Sequence, residues 1–257
     1  MARKLEVALL CLVTAAVAVS LVCVLRLRGG PDVVLGQYAT RLRGRTAAQK
    51  HNAAMAAAAL NGQVVKPGRE VSFNRIVGPW TADRGYKKAP VSYDGELVMA
   101  WGGGVCQTST TLYNAAMLAG LDVVERHRHA WPPRYVAPGR DAAVAYPGID
   151  LVVRNPYPWP VRLAASVQGE NLAVTVFGGE RLATHIAVEG DVRSVIQPDE
   201  VLQVGRPDSG RHVLSAGQPG FDVAVYRTYH RGGRLVRTEL MSTDHYPAMN
   251  RVVRVGE

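Results

Sequence analysis

The stretch GGGVCQTSTTLYN, residues 102–114, is the most informative part of the chain for both fold and function. Three consecutive glycines give the backbone a freedom that a simple connector seldom needs. A helix-compatible run follows them and ends at Gly120, the residue type expected just beyond a helix C-terminus. We therefore expect Cys106 near the N-terminus of a helix, where free N–H groups and the helix macrodipole favour a thiolate. A tight turn that buries a small apolar thiol fits the same pattern.

Candidate bases and acids follow this cysteine along the chain. Residues 123–129 are predicted to form a strand, so His127 and His129 should project to the same face. Asp141 and Asp150 come next, each beside a further predicted strand. The order of cysteine at a helix start, histidine on a strand and acid on the next strand resembles that of papain-like and transglutaminase-like thiol enzymes.

Thiol chemistry needs a base that takes the proton and a third group that orients this base. The predicted catalytic residues are therefore Cys106 as the nucleophile, His129 or His127 as the base, and Asp141 or Asp150 as the orienting acid. In this interpretation, the cysteine attacks an acyl or amide carbon and the histidine moves the proton.

Neighbouring residues are candidates for binding the reacting group. Backbone N–H groups at the helix start, beside Gly103 and Gly104, would bind an oxyanion, with Gln107 as a second donor. Trp101 and Trp131 lie close to the motif residues in the sequence. Tryptophans usually belong to a core, but these two are also placed to line a groove for a sugar or peptide.

Two further interpretations stay open at this point. Cys106 with His127 and His129 would hold zinc, given Asp141 or water as the fourth ligand. No Cys-x-x-Cys or His-x-x-x-His spacing supports such a site, so we expect no metal and no cofactor. The other interpretation is a non-catalytic polar core or ligand pocket around the cysteine.

The amino end has the composition of a membrane anchor. Residues 7–25 form an uncharged run, close to the ~20 residues needed to span a bilayer. This length favours an uncleaved single-pass helix over a signal peptide. Basic residues flank the run on both sides, so charge alone does not give its orientation. Cys11 and Cys23 lie within it, which leaves Cys106 without a partner for an intramolecular disulfide.

The chain is basic, with a formal net charge of +9 at pH 7. Its arginines are mostly scattered, without the basic stripe and interleaved aromatic residues of a nucleic-acid-binding protein. We therefore expect no nucleic-acid partner. A solvated basic surface near anionic envelope polymers or lipids accounts for the charge.

The predicted elements divide the chain into three parts. The membrane anchor and its flanks occupy residues 1–30. An α+β domain of helix plus sheet is predicted for residues 31–182, with an alanine-rich helix over 46–60 that Thr46 caps. A small β-rich module, almost wholly strand and turn, is predicted for residues 183–257.

Several of these segments resemble the VanW family, named after an accessory product of vancomycin-resistance clusters. The similar segments are 67–74 (PGREVSFN), 85–91 (GYKKAPV), 102–116, 124–129 (VERHRH), 135–136 and 139–142 (GRDA). The chain departs from the family's pattern after His129, where Ala130 and Trp131 stand in place of a usual serine. The resemblance implies a VanW-like domain in an envelope-associated bacterial protein, often membrane-anchored.

The resemblance also decides the expected orientation: an anchor in the cell membrane with the rest of the chain outside the cytoplasm. The sequence predicts a thiol-dependent hydrolase or acyltransferase that acts on peptidoglycan peptide. Its expected partners are cell-wall peptidoglycan or an envelope glycan, and the membrane itself. The alternative is a non-catalytic glycan- or peptide-binding module of the envelope, or a zinc-binding domain.

Overall fold

Strands make up most of the protein. The computed structural model describes residues 33–93, 96–205 and 210–256. It is 49% strand and 15% helix, with several separate sheets. The predicted α+β class is therefore wrong. The two long helices are conspicuous in the sequence because they are rich in alanine and threonine, whereas many strands are short and interrupted by glycine and proline turns.

The described residues form fifteen strands and three helices, most of them joined by short connections. In chain order they are β1 (Val33–Arg41), α1 (Ala47–Leu60), β2 (Val64–Val65), β3 (Glu70–Ser72), α2 (Phe73–Val77), β4 (Lys88–Tyr93), β5 (Glu96–Trp101), α3 (Val105–Leu118), β6 (Asp122–Glu125), β7 (Val152–Arg154), β8 (Val161–Gln168), β9 (Asn171–Gly178), β10 (His185–Ile196), β11 (Glu200–Gly205), β12 (Arg211–Ser215), β13 (Gly220–Arg231), β14 (Arg234–Tyr246) and β15 (Arg251–Gly256).

The main core lies between a four-stranded antiparallel sheet, ordered β1-β9-β8-β2, and the helices α1 and α3. α3 packs against β1 and β9, and α1 packs against β8. Gly36 in β1 allows the closest approach, because a Cβ there would lie 2.3 Å from the backbone nitrogen of Ala119. Nearly every side chain of α3 is buried, so this helix is the centre of the fold.

Both predicted helices are confirmed, together with their end signals. Thr46 caps α1, and its hydroxyl accepts from the backbone N–H of Gln49 at 3.2 Å while the Gln49 side chain accepts from the backbone of Thr46. α3 ends at Leu118, and Gly120 follows with a φ of 71°. These signals are local, which is why the sequence reveals them.

The predicted strand over 123–129 is wrong in its second half. β6 ends at Glu125, and beyond it His127 makes only an isolated bridge with Ala143. The alternation of side chains in a strand therefore does not apply to the two histidines, and each must be placed by its own contacts.

The remaining strands form four small sheets. They are ordered β3-β7-β6, β4-β5, β10-β13-β14 and β11-β15-β12, and β11 runs parallel to β15. The predicted boundary at residue 183 falls in the connection between β9 and β10. Val188 of β10 and Met241 of β14 nevertheless pack against the main core. The division into a VanW-like domain and a β-rich module stays a prediction.

The predicted anchor over 7–25, with Cys11 and Cys23, lies outside the described residues. Among the helices of the described ranges, none is both long and apolar enough to cross a bilayer.

The turn before α3 gives the first testable prediction. Gly104 has a φ of 107°, and a Cβ there would lie 2.4 Å from the carbonyl oxygen of Gln49. Gly104→Ala should therefore lower the free energy of unfolding by about 2–5 kcal/mol, since backbone strain and collision add. Gly62→Ala is the matched control, because Gly62 has a φ of 83° with nothing within 4 Å of a Cβ. Its cost should be about 1–2 kcal/mol. Equal costs in urea unfolding would contradict this account of the turn.

Candidate active site

Cys106 is the second residue of α3, and the glycine turn before it fixes the position of the sulfur. Asn52 of α1 donates from its side-chain amide to the Gly103 carbonyl at 2.9 Å. Cys106 is partly buried and packs against the main core, and its Sγ donates to the Val144 carbonyl at 3.3 Å. The thiol therefore lies at a helix N-terminus, at the edge of the core.

His129 and Asp141 lie on the segment between β6 and β7 and form a close pair. The Asp141 Oδ2 atom is 2.6 Å from His129 Nδ1, and it also accepts from the His129 backbone N–H at 2.7 Å. His129 also interacts with Cys106, and this interaction acts on the pKa of both side chains. The structure thus brings three of the predicted residues into the order Cys106, His129, Asp141.

Each member of this group shifts the pKa of its neighbour. Burial raises the pKa of Cys106, but the hydrogen bond and charge of His129 outweigh it and hold the thiol pKa below its usual value. Burial lowers the pKa of His129, but its hydrogen bonds with Asp141 and Cys106 outweigh this and raise the pKa to about 10. Burial raises the pKa of Asp141, and His129 and Arg126 more than compensate, so it stays below the usual range. The arrangement favours a thiolate beside an imidazolium.

α3 holds the acid in place as well as the cysteine. The Thr110 hydroxyl accepts from the backbone N–H of Ala142 at 3.0 Å. The Asn114 side-chain amide donates to the Arg140 carbonyl at 2.7 Å. Polar side chains of α3 therefore bind the backbone on both sides of Asp141. Because α3 also carries Cys106, one helix sets the distance between nucleophile and acid.

Arg126, at the end of β6, approaches Asp141 from the other side. Its Nε donates to the Asp141 backbone carbonyl at 2.7 Å, and its NH2 lies 3.2 Å from Asp141 Oδ1. Its NH1 donates to both oxygens of Asp244, at 2.6 and 2.8 Å. Tyr246 completes the group, because its hydroxyl donates to Asp141 Oδ1 at 2.5 Å. The acid is thus wholly enclosed by partners.

His127 and Asp150 are not part of this group. The exposed His127 ring bonds to the Glu125 carboxylate at 2.9 Å. Asp150 accepts from the backbone N–H of Asn74 at 2.8 Å and from the Ser72 hydroxyl, at the start of α2. Its carboxylate therefore caps a short helix. Of the paired alternatives predicted from the sequence, the structure places His129 and Asp141 with Cys106.

Gln107 lies at the helix start, but its side chain faces away from the thiol. Its Nε2 donates to the Thr40 hydroxyl at 3.1 Å and to the Arg41 carbonyl at 2.9 Å, and its Oε1 accepts from Arg45. Both amide hydrogens are thus used to attach α3 to β1. The sequence predicts that this side chain donates to an oxyanion, but both of its N–H groups already donate within the fold.

The two predicted tryptophans lie in different settings. Trp101 is 43% exposed, beside the glycine turn, with Lys88 Nζ 5.5 Å from its ring centre. Trp131 is partly buried, and its indole nitrogen is enclosed without a hydrogen-bond partner. A third tryptophan, Trp80, packs against Gly102 and meets Tyr146 edge-on at 6.5 Å.

The zinc interpretation finds no ligand set. No group of three or more His, Cys, Asp or Glu side chains in the described parts of the chain converges to hold a metal ion. His129 contacts Asp141 through Nδ1 and interacts separately with Cys106. A metal needs ligands that point to a common centre.

Sequence reasoning missed several residues around the site. Arg126 lies inside a segment singled out for its histidines, but nothing local indicated an inward-pointing guanidinium. Asp244 and Tyr246 are more than a hundred residues from Arg126 and Asp141 in the chain. A sequence pattern cannot connect residues at that separation. Tyr146, two residues after Val144, was likewise missed.

Comparisons with known proteins agree with the resemblance over this region. The chain is 40% identical to the uncharacterized protein YoaR of Bacillus subtilis (strain 168) over 146 residues, which cover 57% of this chain and 48% of YoaR. It is 36% identical to the vancomycin B-type resistance protein VanW of Enterococcus faecalis (strain ATCC 700802 / V583) over 78 residues, 30% of this chain and 28% of that protein. The chain therefore matches less than half of the length of either relative.

Two solved structures give weaker matches. The HP0197-G5 crystal structure has a TM-score of 0.17 at 20% identity and covers 28% of this chain and 99% of that one. The IgA1 protease G5 domain has a TM-score of 0.21 at 22% identity and covers 29% and 92%. TM-scores this low support no conclusion about fold or function.

The family comparison covers the region that holds Cys106, His129 and Asp141. Residues 48–177 match the family described as VanW like protein. This match takes in α1, α3 and the four-stranded sheet except β1. The chain belongs to the VanW family.

Proposed function

We propose that the chain is a thiol-dependent acyltransferase or hydrolase of the bacterial cell envelope that acts on amide bonds of peptidoglycan peptide. The observation that carries this proposal is the hydrogen-bonded series of Cys106, His129 and Asp141 at a helix N-terminus. A thiolate beside an imidazolium that a buried carboxylate orients is the arrangement used for nucleophilic attack on acyl groups.

The first half of the reaction forms an acyl-enzyme. The Cys106 proton moves to His129, and the thiolate attacks the carbonyl carbon of the amide, forming a C–S bond. His129 then gives the proton to the leaving amine as the C–N bond breaks. A thioester on Cys106 and a free amine result.

The second half returns the enzyme to its starting state. Water or an acceptor amine attacks the thioester carbon and gives its proton to His129. The C–S bond breaks, and the thiolate leaves. Water yields a carboxylic acid, so the overall reaction is hydrolysis, whereas an amine yields a new amide and the overall reaction is acyl transfer.

The backbone at the start of α3 supplies a candidate oxyanion donor. The N–H groups of Val105 and Gln107 donate to the carbonyls of Gly102 and Gly104, at 3.0 and 3.2 Å. The N–H of Cys106 lies between them, next to the reacting sulfur. We propose that this N–H and the positive end of the helix macrodipole stabilise the negative charge that develops on the carbonyl oxygen during attack.

Aromatic side chains near the segments that hold the thiol support a peptide or sugar chain as the substrate. Trp101 and Trp80 flank the glycine turn that leads into α3, and Tyr146 lies on the segment whose Val144 carbonyl touches the sulfur. Trp101 and Tyr146 are 43% and 49% exposed. Exposed rings beside a reactive group are typical of sites that bind chain-like ligands.

The envelope setting rests on the relatives and on the amino end. VanW of Enterococcus faecalis is a vancomycin B-type resistance protein by name. Residues 7–25 have the length and composition of a bilayer span. We therefore propose a single-pass protein of the cell membrane, with residues 33–256 outside the cytoplasm and close to peptidoglycan.

A second candidate is a non-catalytic module that binds a glycan or peptide of the envelope. The exposed ring of Trp101, beside the glycine turn, favours it, because an indole face open to solvent can stack on a sugar or peptide.

Thiol reactivity gives the second testable prediction. Iodoacetamide should label Cys106 in the native protein with a midpoint well below the ~8.5 of a free cysteine, because His129 stabilises the thiolate. Labelling is followed by mass spectrometry from about pH 5 to 9, in native and denatured protein. Labelling that occurs only after unfolding would show that the sulfur is a core residue.

Matched histidine variants separate the base from its neighbour. His129→Asn should move the labelling midpoint to the free-cysteine value or above, since burial and the charge of Asp141 then oppose the thiolate without the imidazolium. His127→Asn should leave it unchanged, because the exposed His127 ring bonds to the Glu125 carboxylate and not, among the described residues, to Cys106 or Asp141. A shift in the second variant and none in the first would contradict the assignment of His129.

The third prediction separates catalyst from binding module. Purified peptidoglycan peptide, incubated with the protein with and without an added amine, should yield a cleaved or exchanged product by mass spectrometry. Cys106→Ser should lower the rate by at least about a hundredfold and leave peptide binding within about twofold, since it changes one atom of the nucleophile. A variant that retains both activity and binding would overturn the catalytic role.

A further inference from the structure

We propose that Tyr246, from the strand at the far end of the chain, is a positioning residue for Asp141 and so belongs to the catalytic group. This inference rests on the proposed function, because it concerns the same cysteine, histidine and acid. It goes beyond it by making the β10-β13-β14 sheet part of the site. Tyr246 ends β14, outside the 48–177 region that matches the family.

The first step is the distribution of bonds around the acid. Asp141 has no solvent exposure, and its Oδ2 is occupied by the backbone and ring N–H groups of His129. Its Oδ1 accepts from Tyr246 at 2.5 Å, while the Arg126 NH2 is farther away at 3.2 Å. The tyrosine hydroxyl is therefore the closest donor on the side of the carboxylate that faces away from the histidine.

The second step is that the hydroxyl itself is fixed. Tyr246 is fully buried, and its oxygen accepts from the backbone N–H of Gly139 at 3.0 Å. The same oxygen accepts from the NH2 group of Arg126 at 3.4 Å. Because both of these neighbours are donors, the proton of the hydroxyl points to the remaining partner, Asp141. The guanidinium of Arg128 lies 5.3 Å from the centre of the ring and covers one face of it. Such a donor holds a carboxylate in one orientation.

The third step is the link through Arg126. Asp244 lies two residues before Tyr246, and both of its carboxylate oxygens accept from the Arg126 guanidinium. One of these oxygens also accepts from the Ser242 hydroxyl at 2.9 Å. β14 thus contributes an acceptor for the arginine and a donor for the acid. Asp244 and Tyr246, two residues apart on one strand, therefore hold Arg126 and Asp141 in place.

The titratable groups that interact with Asp141 come from several elements around it. They are His129 and Arg126 on the segment after β6, Cys106 and Tyr113 on α3, Tyr135 on the connecting turn, and Tyr246 on β14. Asp244 faces Arg126, and Arg140 bonds to Asn114. Burial raises the pKa of Tyr246, and the Asp141 charge raises it further, so the phenol keeps its proton at any working pH. Tyr246 therefore acts as a permanent donor and not as a base.

The consequence concerns the acid limb of the labelling profile. A hydrogen bond to the ionised form of a carboxyl group lowers its pKa, so the Tyr246 hydroxyl helps Asp141 stay ionised. An ionised Asp141 stabilises the imidazolium of His129, which in turn stabilises the thiolate. The pKa of Asp141 lies below its usual 3.8, so the carboxylate is ionised throughout the labelling range and the hydroxyl acts through position. Without its closest donor the carboxylate can turn away from His129, and thiolate formation should then move to higher pH.

The experiment compares three full-length proteins by the rate of iodoacetamide labelling of Cys106 against pH. Tyr246→Phe should shift the acid limb upward by about one pH unit, the size expected for one hydrogen bond to a charged group. Tyr229→Phe is the matched control, because its hydroxyl donates to the Glu239 carboxylate at 3.0 Å in the same sheet. Its profile should superimpose on that of the unmodified protein.

Replacement of Tyr246 by 3,5-difluorotyrosine keeps the ring and the hydroxyl in place and changes only the strength of the donor. A more acidic phenol draws more charge from the Asp141 carboxylate, which then stabilises the His129 imidazolium less, so the acid limb should move to higher pH. This variant carries the test if Tyr246→Phe does not unfold cooperatively in a thermal melt. Profiles of both variants that superimpose on that of the unmodified protein would overturn the inference. A shift of the Tyr246→Phe profile to lower pH would also overturn it, because the hydroxyl would then only withdraw charge from a carboxylate that other groups hold in place.

The same measurements distinguish failure of this inference from failure of the proposed function. An unmodified protein whose labelling midpoint equals that of a free cysteine would contradict the thiolate–imidazolium pair itself. A low midpoint in the unmodified protein that Tyr246→Phe leaves unchanged would contradict only the role of Tyr246.

Discussion

A buried carboxylate sets the conditions that the rest of the site must meet. Asp141 is fully enclosed, and an enclosed charge is tolerated only if opposite charge and hydrogen bonds replace the lost water. His129, Arg126 and Tyr246 supply those bonds, and α3 grips the backbone on both sides. The histidine is thereby fixed beside the cysteine. The reactivity of the thiol follows from the way the fold satisfies this one acid.

The unusual composition of α3 follows from the same requirement. A buried helix is normally apolar, but this one buries threonine, serine and asparagine side chains. Several find acceptors on neighbouring segments, such as the Ala142 carbonyl for Ser109 at 2.6 Å and the Ala53 carbonyl for Thr108 at 3.3 Å. These bonds attach α3 to α1 and to the segment that carries Asp141. The glycine turn plays the complementary part, because it lets α1 approach the start of the helix.

Local signals in the sequence predicted the parts of the protein that local physics determines. The caps of α1, the extent of α3 and the position of Cys106 at a helix start depend on residues within a few positions of one another. The overall class was wrong because short strands gain their stability from partners far away in the chain, which a sequence pattern does not show. A preference for α+β followed from the two helices that were easiest to see.

The difference between local signals and long-range contacts also explains which site residues the sequence could predict. The sequence indicated a cysteine, a histidine and an acid, but it left two choices for each of the last two. The choice depends on β6 ending at Glu125, which turns His127 outward and lets His129 reach Asp141. Arg126, Asp244 and Tyr246 meet only in the folded protein, so nothing in the sequence connected them.

The protonation state of His129 tests the central claim most directly. Nitrogen NMR of the protein with labelled histidine, from about pH 6 to 11, reports the charge of the ring without any substrate. The account predicts that both ring nitrogens carry protons until the pH approaches about 10, and that alkylation of Cys106 lowers this pKa because the thiolate is lost. A ring that is neutral by pH 8 and insensitive to alkylation would contradict the thiolate–imidazolium pair.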